Sequence, residues 1–181
     1  MTQTNTIISI RKATIADLAI KKAIYTLVNN AYQCEGGWTN ENHIAGGERS
    51  SLERIEASIK DQENTLLLAV EEDEGNSQVN VVGTAQIQLE GSEEASIGML
   101  SVKQSYQSRG IGGRLLEAAM DELRRRGLKT AVLTVLETRS ELLNWYTKIG
   151  FVETGERRPF PWTKRLKVDN VGFTVLKKVI V

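Results

Sequence analysis

Apolar positions recur along this chain with two different periods, and the changes of period mark its elements. Residues 6–14, TIISIRKAT, read as a first strand. Thr14 then stands three residues before Asp17, close to a capping box, and Ile20, Ile24, Leu27 and Ala31 follow at helical spacing. Residues 33–50 break the pattern with Gly and Asn yet hold Trp38 and His43, so an ordered loop is expected there. Leu52, Ile55 and Ile59 place a second helix over 51–59. Three strand signals follow: the apolar run 64–72, a longer one over 79–90, and 95–102. In the second, Ala85, Ile87 and Leu89 alternate with Gln86, Gln88 and Glu90, the mark of a half-buried strand. A hairpin turn is expected over 72–78, and the acidic residues 71–74 and 93–94 are expected at solvated turns.

The most regular helix runs from Arg109 to about Arg126. Three arginines and Gly127 end it with cations in the last turn and a glycine beyond. The run KTAVLTVLE, 129–137, is almost continuously apolar, which predicts a central strand buried on both faces. Thr138 and Glu141 form a second capping signature before a helix over 139–149. A strand over 150–158, an irregular stretch over 159–170 and a closing strand over 171–181 complete the chain. The order β-α-α-β-β-β-α-β-α-β-β, with no repeat and no linker, predicts one mixed α/β domain over 1–181.

Composition narrows the partners. Lys plus Arg and Asp plus Glu are both 23, so the net charge is zero. That argues against nucleic acid as the main partner, since such domains carry a basic excess. A lone cysteine, Cys34, excludes an intrachain disulfide. The N-terminal residues lack the charged start and apolar run of a signal peptide, and no stretch approaches eighteen apolar residues. A cytoplasmic protein without membrane contact is expected. The apolar VIV at the end is open to two uses: completing a sheet edge, or meeting a second copy in a homodimer.

The chemistry concentrates in YQSRGIGGRLL, residues 106–116, between a strand and the best helix. The first N–H groups of a helix have no backbone acceptors and favour anions. Glycines at 110, 112 and 113 remove the side chains that would hold a phosphate off, and Arg109 and Arg114 add cations. The pattern is neither a Walker loop nor a dinucleotide fingerprint, because no Lys-Ser/Thr follows and the spacing is G-I-G-G-R.

Residues 97–151 resemble the GCN5-related N-acetyltransferase (GNAT) superfamily. Gln107-Ser-Arg-Gly110-Ile-Gly112 is similar to its Q/R-x-x-G-x-G/A motif, and Tyr146-Thr-Lys-Ile-Gly150-Phe151 to its Tyr-x-x-x-Gly-Phe helix end. The resemblance implies a mixed, mostly antiparallel sheet of about seven strands with helices on both faces, and acetyl-CoA as cosubstrate. The backbone around Arg109, Gly110, Ile111, Gly112, Gly113 and Arg114 would hold the pyrophosphate, and Leu100 and Val102 the pantetheine arm through their main chain. Tyr146 would sit near the thioester sulfur. Arginine stands at 139, where the family often has asparagine, and Asn144 is the substitute considered for that polar contact.

The expected reaction is direct acetyl transfer to a primary amine of a small molecule or amino-acid-like acceptor, with no metal. Transfer to a peptide N-terminus or lysine, and a non-catalytic acyl-CoA sensor, are the alternatives. The acceptor side is expected to draw on 33–48 and 157–163, with Trp38, Glu41, His43, Phe160 and Trp162 as candidates. Glu35 or Glu41 would attract an ammonium, and Arg157 or Arg158 a carboxylate. The general base stays open between Glu94, Glu137 and His43, and Cys34 is a weak candidate nucleophile.

Overall fold

A computed structural model describes residues 7–34, 37, 40–73 and 76–180. Seven strands form one sheet: β1 (Ile7–Lys12), β2 (Thr65–Asp73), β3 (Asn76–Glu90), β4 (Glu94–Val102), β5 (Thr130–Leu136), β6 (Val152–Pro159) and β7 (Gly172–Val179). They are ordered β1-β2-β3-β4-β5-β7-β6. Every neighbouring pair is antiparallel except β4 and β5. Helices α1 (Lys21–Gln33) and α2 (Leu52–Lys60) cover one face. Helices α3 (Ile111–Arg125) and α4 (Ser140–Lys148) belong to the other.

Local chemistry explains most of the boundaries. Thr14 and Asp17 do form a capping box, but they open a 3-10 turn over Ile15–Ile20 that leads into α1. The Asp17 carboxylate accepts the Thr14 N–H at 2.7 Å and both guanidinium nitrogens of Arg11, which fixes the turn against β1. Ser51 caps α2 through the Arg54 N–H. The second expected capping box does not form. Arg139 takes the N-cap position of α4, and the Glu141 carboxylate accepts from the Arg139 guanidinium. The hairpin between β2 and β3 is tighter than expected, because the strands extend to 73 and from 76. β5 lies between β4 and β7, with Ala131, Val132, Leu133, Val135 and Leu136 all buried.

The two faces of the sheet hold separate cores. Ile111, Leu115, Leu116, Ala119 and Leu123 of α3 press onto Ala69, Val82, Ala85 and Ile97. On the other face Ile24, Leu27 and Val28 of α1 and Ile55 and Ile59 of α2 press onto Leu66, Leu68 and Val70. The alternation of strand side chains distributes these sets, so successive residues of β2 serve opposite cores.

β4 carries the one irregularity that shapes a site. Thr84 pairs with Ser101 and Gln86 with Gly98, so Met99 and Leu100 together face Ala85 in a bulge. Met99 adopts a positive φ of 48°. The Thr84 hydroxyl, buried, donates to the Met99 carbonyl at 2.8 Å and pins it. Bulges bend the strand that carries them. β4 pairs with β5 only from Glu94 to Ser96, against Thr130 to Val132, and the two strands then part.

The arginine-rich end of α3 is a closed ion-pair network rather than a basic patch. Arg124 pairs with Glu117 and Asp121, while Glu122, 5% exposed, accepts from Lys12, Arg125 and Arg126. These hydrogen bonds, Arg125's foremost, hold the Glu122 carboxyl far below its usual range despite its burial. A carboxyl more acidic in the folded than in the unfolded state stabilises the fold above its unfolded pKa, and the gain fades as pH falls towards the folded value. Glu122→Gln is expected to lower stability at pH 7 by about 1–3 kcal/mol and to flatten the acid side of the stability curve. Urea unfolding of both proteins between pH 7 and pH 3 measures this, and parallel acid curves would show that Glu122 is not the group responsible.

Candidate functional site

The wedge opened between β4 and β5 holds two cavities of about 250 Å³ each, one on each side of the parted strands. Leu100, Leu142 and Tyr146 line both. The two cavities therefore adjoin at these residues.

The first cavity lies against the start of α3. Val102, Tyr106, Gln107, Gly110, Gly112 and Trp145 contribute to its wall. Gly110 is the N-cap of α3 with φ 76°, a left-handed conformation that favours glycine. The first intrahelical donor is the Arg114 N–H, to the Gly110 carbonyl at 3.0 Å. The N–H groups of Ile111, Gly112 and Gly113 precede it and have no acceptor within the helix. A Cβ on Gly113 would meet nothing within 4 Å, and one on Gly110 likewise. Gly113 therefore does not serve packing against a strand; it leaves space beside the free N–H groups. A Cβ on Gly112 would reach Trp145 and Val102 at 3.9 Å, ordinary contact. The donor set and the open space fit a pyrophosphate.

The side chains around this turn divide. Gln107 donates its amide to the Val102 carbonyl at 3.1 Å, bracing the turn on the end of β4. Arg109 stays at the turn, its guanidinium 4.9 Å from the Tyr106 ring centroid. Arg114 does not join it. Its guanidinium donates to the Ile8 carbonyl of β1 at 2.7 Å, so the second expected cation is drawn away by a strand distant in sequence. Asn144 is exposed and lines neither cavity. Two residues before Tyr146, it sits about 200° around the helix. Of the two main-chain groups expected to face a pantetheine arm, the Leu100 carbonyl takes the Tyr32 hydroxyl at 3.2 Å and the Val102 carbonyl takes Gln107.

The second cavity is closed by the two loops expected there, and backbone pairing knits them together. Gly46 N–H donates to Arg165, Lys167 N–H donates to Ile44, and Ala45 bridges Leu166. Glu41 N–H donates to the Tyr32 carbonyl, tying the first loop to α1. Glu41, Phe160 and Trp162 line this cavity with Tyr32, Arg49 and Tyr146. Phe160 packs edge-on to Trp162, with ring centroids 5.7 Å apart, and stacks on Phe173 at 5.5 Å. Trp38 and Glu35 fall outside the described residues. His43 is exposed, in a shallow depression with Asn40, Thr138 and Glu141, apart from Tyr146. Cys34 lines another groove, between α1 and β3.

The electrostatics sort the remaining candidates. Glu94 accepts two contacts from Lys177, at 2.9 and 2.7 Å, beside the paired start of β4. Glu137 is bonded twice by Arg157 and once by the Gly172 N–H, which lowers its pKa to about 2. Neither is a ready base. The same pairs correct the carboxylate-binding role expected of Arg157 and Arg158: Arg157 is spent on Glu137, and Arg158 on Glu90 and Glu156. By contrast, burial pushes the Glu41 carboxyl up, against the pull of Arg49 and Arg139. Burial also pushes the Tyr146 hydroxyl well up, helped by Tyr32 and Glu41 and opposed by Arg139. Tyr146, 8% exposed, is held by its ring contacts with Trp145 and Phe151, at 4.8 and 6.0 Å.

Tyr32, Arg49 and Trp145 were not legible as site residues. Tyr32 continues the apolar stripe of α1, Arg49 is one charge in a glycine-rich loop, and Trp145 is one position off the Tyr146 motif. Arg139 was set aside because it departs from the family's asparagine. It is 5% exposed and donates to the Asn40 carbonyl at 2.9 Å, holding the loop that carries Glu41.

Residues 23–151 match the Acetyltransferase (GNAT) family. A 68-residue stretch is 35% identical to the [ribosomal protein bS18]-alanine N-acetyltransferase of Escherichia coli, over 38% of this chain and 46% of that protein, so the match spans about half the relative's length. The crystal structure of the Escherichia coli ribosomal-protein-S18-alanine N-acetyltransferase superposes with a TM-score of 0.66 at 20% identity, covering 96% of this chain and 94% of that one. The yncA structure from Salmonella typhimurium, solved with its cofactor acetyl-CoA, gives 0.68 at 20% identity, covering 97% and 95%. Ard1 from Thermoplasma volcanium gives 0.70 at 17%, covering 96% and 98%.

The geometry at the start of α3 is open to a direct test on the unliganded protein. Gly113→Ala should raise stability, by up to about 1 kcal/mol, because alanine suits a helix better and nothing obstructs its methyl group. Gly110→Ala should lower it, because the position is left-handed. Thermal melting of both variants checks this, and destabilisation by Gly113→Ala would mean that packing holds that glycine.

Proposed function

The chain belongs to the Acetyltransferase (GNAT) family, and we propose that it transfers an acetyl group from acetyl-CoA to the primary amine of a small acceptor. The observation that carries this reading is the meeting of the two cavities at Tyr146, one beside free helix N–H groups and the other beside an acidic side chain.

Acetyl-CoA supplies the activated acyl group as a thioester. The N–H groups of Ile111, Gly112 and Gly113, with Arg109 nearby, would hold its pyrophosphate, and the edge of β4 at Leu100 and Val102 would lie along its pantetheine arm. Glu41 faces the acceptor's cavity with a carboxyl that burial makes more basic than usual. In this reading it takes the proton of the incoming ammonium, so that a neutral amine is presented for attack. Tyr146 keeps its proton at neutral pH, because burial pushes its hydroxyl up. As the nitrogen bonds to the carbonyl carbon and the C–S bond breaks, Tyr146 gives that proton to the departing sulfur and regains one from the nitrogen, which becomes the amide. The walls of both cavities would place the two reactants against each other, which lowers the barrier.

Free-thiol release from acetyl-CoA across a panel of amines tests the activity. Bound coenzyme A should raise the melting temperature, through about 2.7 kcal/mol of stabilisation at a hundredfold excess over Kd. Gly113→Ala should weaken that binding. Tyr146→Phe should lower kcat by about 100-fold with coenzyme A affinity unchanged; an unchanged kcat would remove Tyr146 from the chemistry. Ligand stabilisation with no thiol release from any amine would mark the chain as an acyl-CoA sensor. The rate should rise with pH through a group ionising above about 4.3, the ordinary glutamate value. Glu41→Gln should abolish that limb, and a limb that survives the substitution would point to a different base.

A further inference from the structure

The acceptor cavity contains a cation that forms no ion pair among the described residues, although Glu41 lies near enough to attract it. Arg49 lines it, and its buried Nε–H has no hydrogen-bond partner among the described residues. Its guanidinium lies 5.0 Å from the centroid of the Tyr32 ring, and no ion pair is formed with it among the described residues. Three other arginines near the cavity are occupied. Arg139 is held by Asn40 and Glu141, Arg165 by the Glu48 carbonyl, and Arg157 by Glu137. Arg49 is also firmly placed. Asn29, buried in α1, accepts the Arg49 N–H at 2.6 Å and the Ser50 N–H at 3.2 Å. It donates to the Tyr25 and Ser50 carbonyls, both at 3.0 Å. A buried side chain is thus devoted to fixing the backbone from which Arg49 reaches the cavity.

Resting on the acetyl-transfer reading, we infer that the acceptor carries a carboxylate as well as its amine, and that Arg49 recognises the carboxylate. The acceptor class is then a free amino acid or similar small amino carboxylate. The planar guanidinium fork matches a carboxylate. Glu41, in the same cavity, takes the opposite charge of the amine, so the two ends of such a zwitterion meet opposite partners. Size agrees, because about 250 Å³ lies below the roughly 300–1,000 Å³ of sites for drug-sized ligands. A polypeptide's N-terminal residue has an amide where a free amino acid has its carboxylate, and would leave Arg49 without an anion.

The test uses matched acceptors with acetyl-CoA: alanine, leucine and phenylalanine, the primary amide of each, and the decarboxylated amine of each. Wild-type protein is expected to favour the acids in kcat/KM by about tenfold or more, the scale at which a lost polar partner is felt. Arg49→Gln should raise KM for the acids and erase that preference, with a smaller loss for the amides. Arg49→Lys, which keeps the charge but not the fork, should fall between. Equal use of acids and amides, preference for amides or peptides, or an equal loss for all acceptors in Arg49→Gln would each overturn the inference while leaving acetyl transfer intact. Calorimetric titration of the wild-type protein with N-acetylleucine and with its amide requires neither turnover nor a variant. Binding of the acid alone supports the inference, and equal binding or none overturns it. Failure of coenzyme A to bind would instead sink the acetyl-transfer reading.

Discussion

Everything functional in this molecule depends on the parting of β4 from β5. The sheet is continuous only because those strands share three residue pairs at their starts. Beyond Ser96 the backbone gives up further ladder bonds, a loss tolerated where other partners take over. The bulge at Met99 makes the parting a fixed feature. The positive φ there is held by the buried Thr84 hydroxyl, and the Leu100 carbonyl is taken by Tyr32 from α1. A regular β4 would close the wedge and separate the two cavities from each other.

Given the wedge, the helices divide the chemistry between its sides. α3 brings the unsatisfied N–H groups of its first turn to one side, with Gly110 and Gly113 keeping the approach open. α4 delivers Tyr146 to the crossing, where Trp145 and Phe151 fix the ring. α1 and its following loop bring Tyr32, Glu41 and Arg49 to the other side. Several cations elsewhere are paired with carboxylates, as in the Glu122 network at the end of α3. Exposed pairs, such as Lys129 with Glu93, add little stability singly.

Much of this was readable from residue order. The period-2 and period-3.6 patterns gave all seven strands and the four main helices, because burial of one face dictates both patterns. The glycines before α3 and the Tyr-x-x-x-Gly-Phe end of α4 were legible because backbone clearance and a fixed aromatic demand particular residue types. Arg114 and Asn144 were assigned to the site on proximity in sequence alone. One is claimed by Ile8, more than a hundred positions away, and the other lies on the outer side of its helix.

The sequence by itself determined the elements, their order and the glycine-rich turn before α3, since these follow from local backbone demands and from periodic burial. Only the tertiary structure decided which charged groups remain available. Arg157, Arg158, Glu94 and Glu137 look as free in the sequence as Arg49 and Glu41 do. They lose that freedom to partners on other strands and loops, while Arg49 and Glu41 form no ion pair among the described residues and face the cavity beside the wedge. Whether a charge is paired depends on distance in space, and the register of distant strands sets that distance.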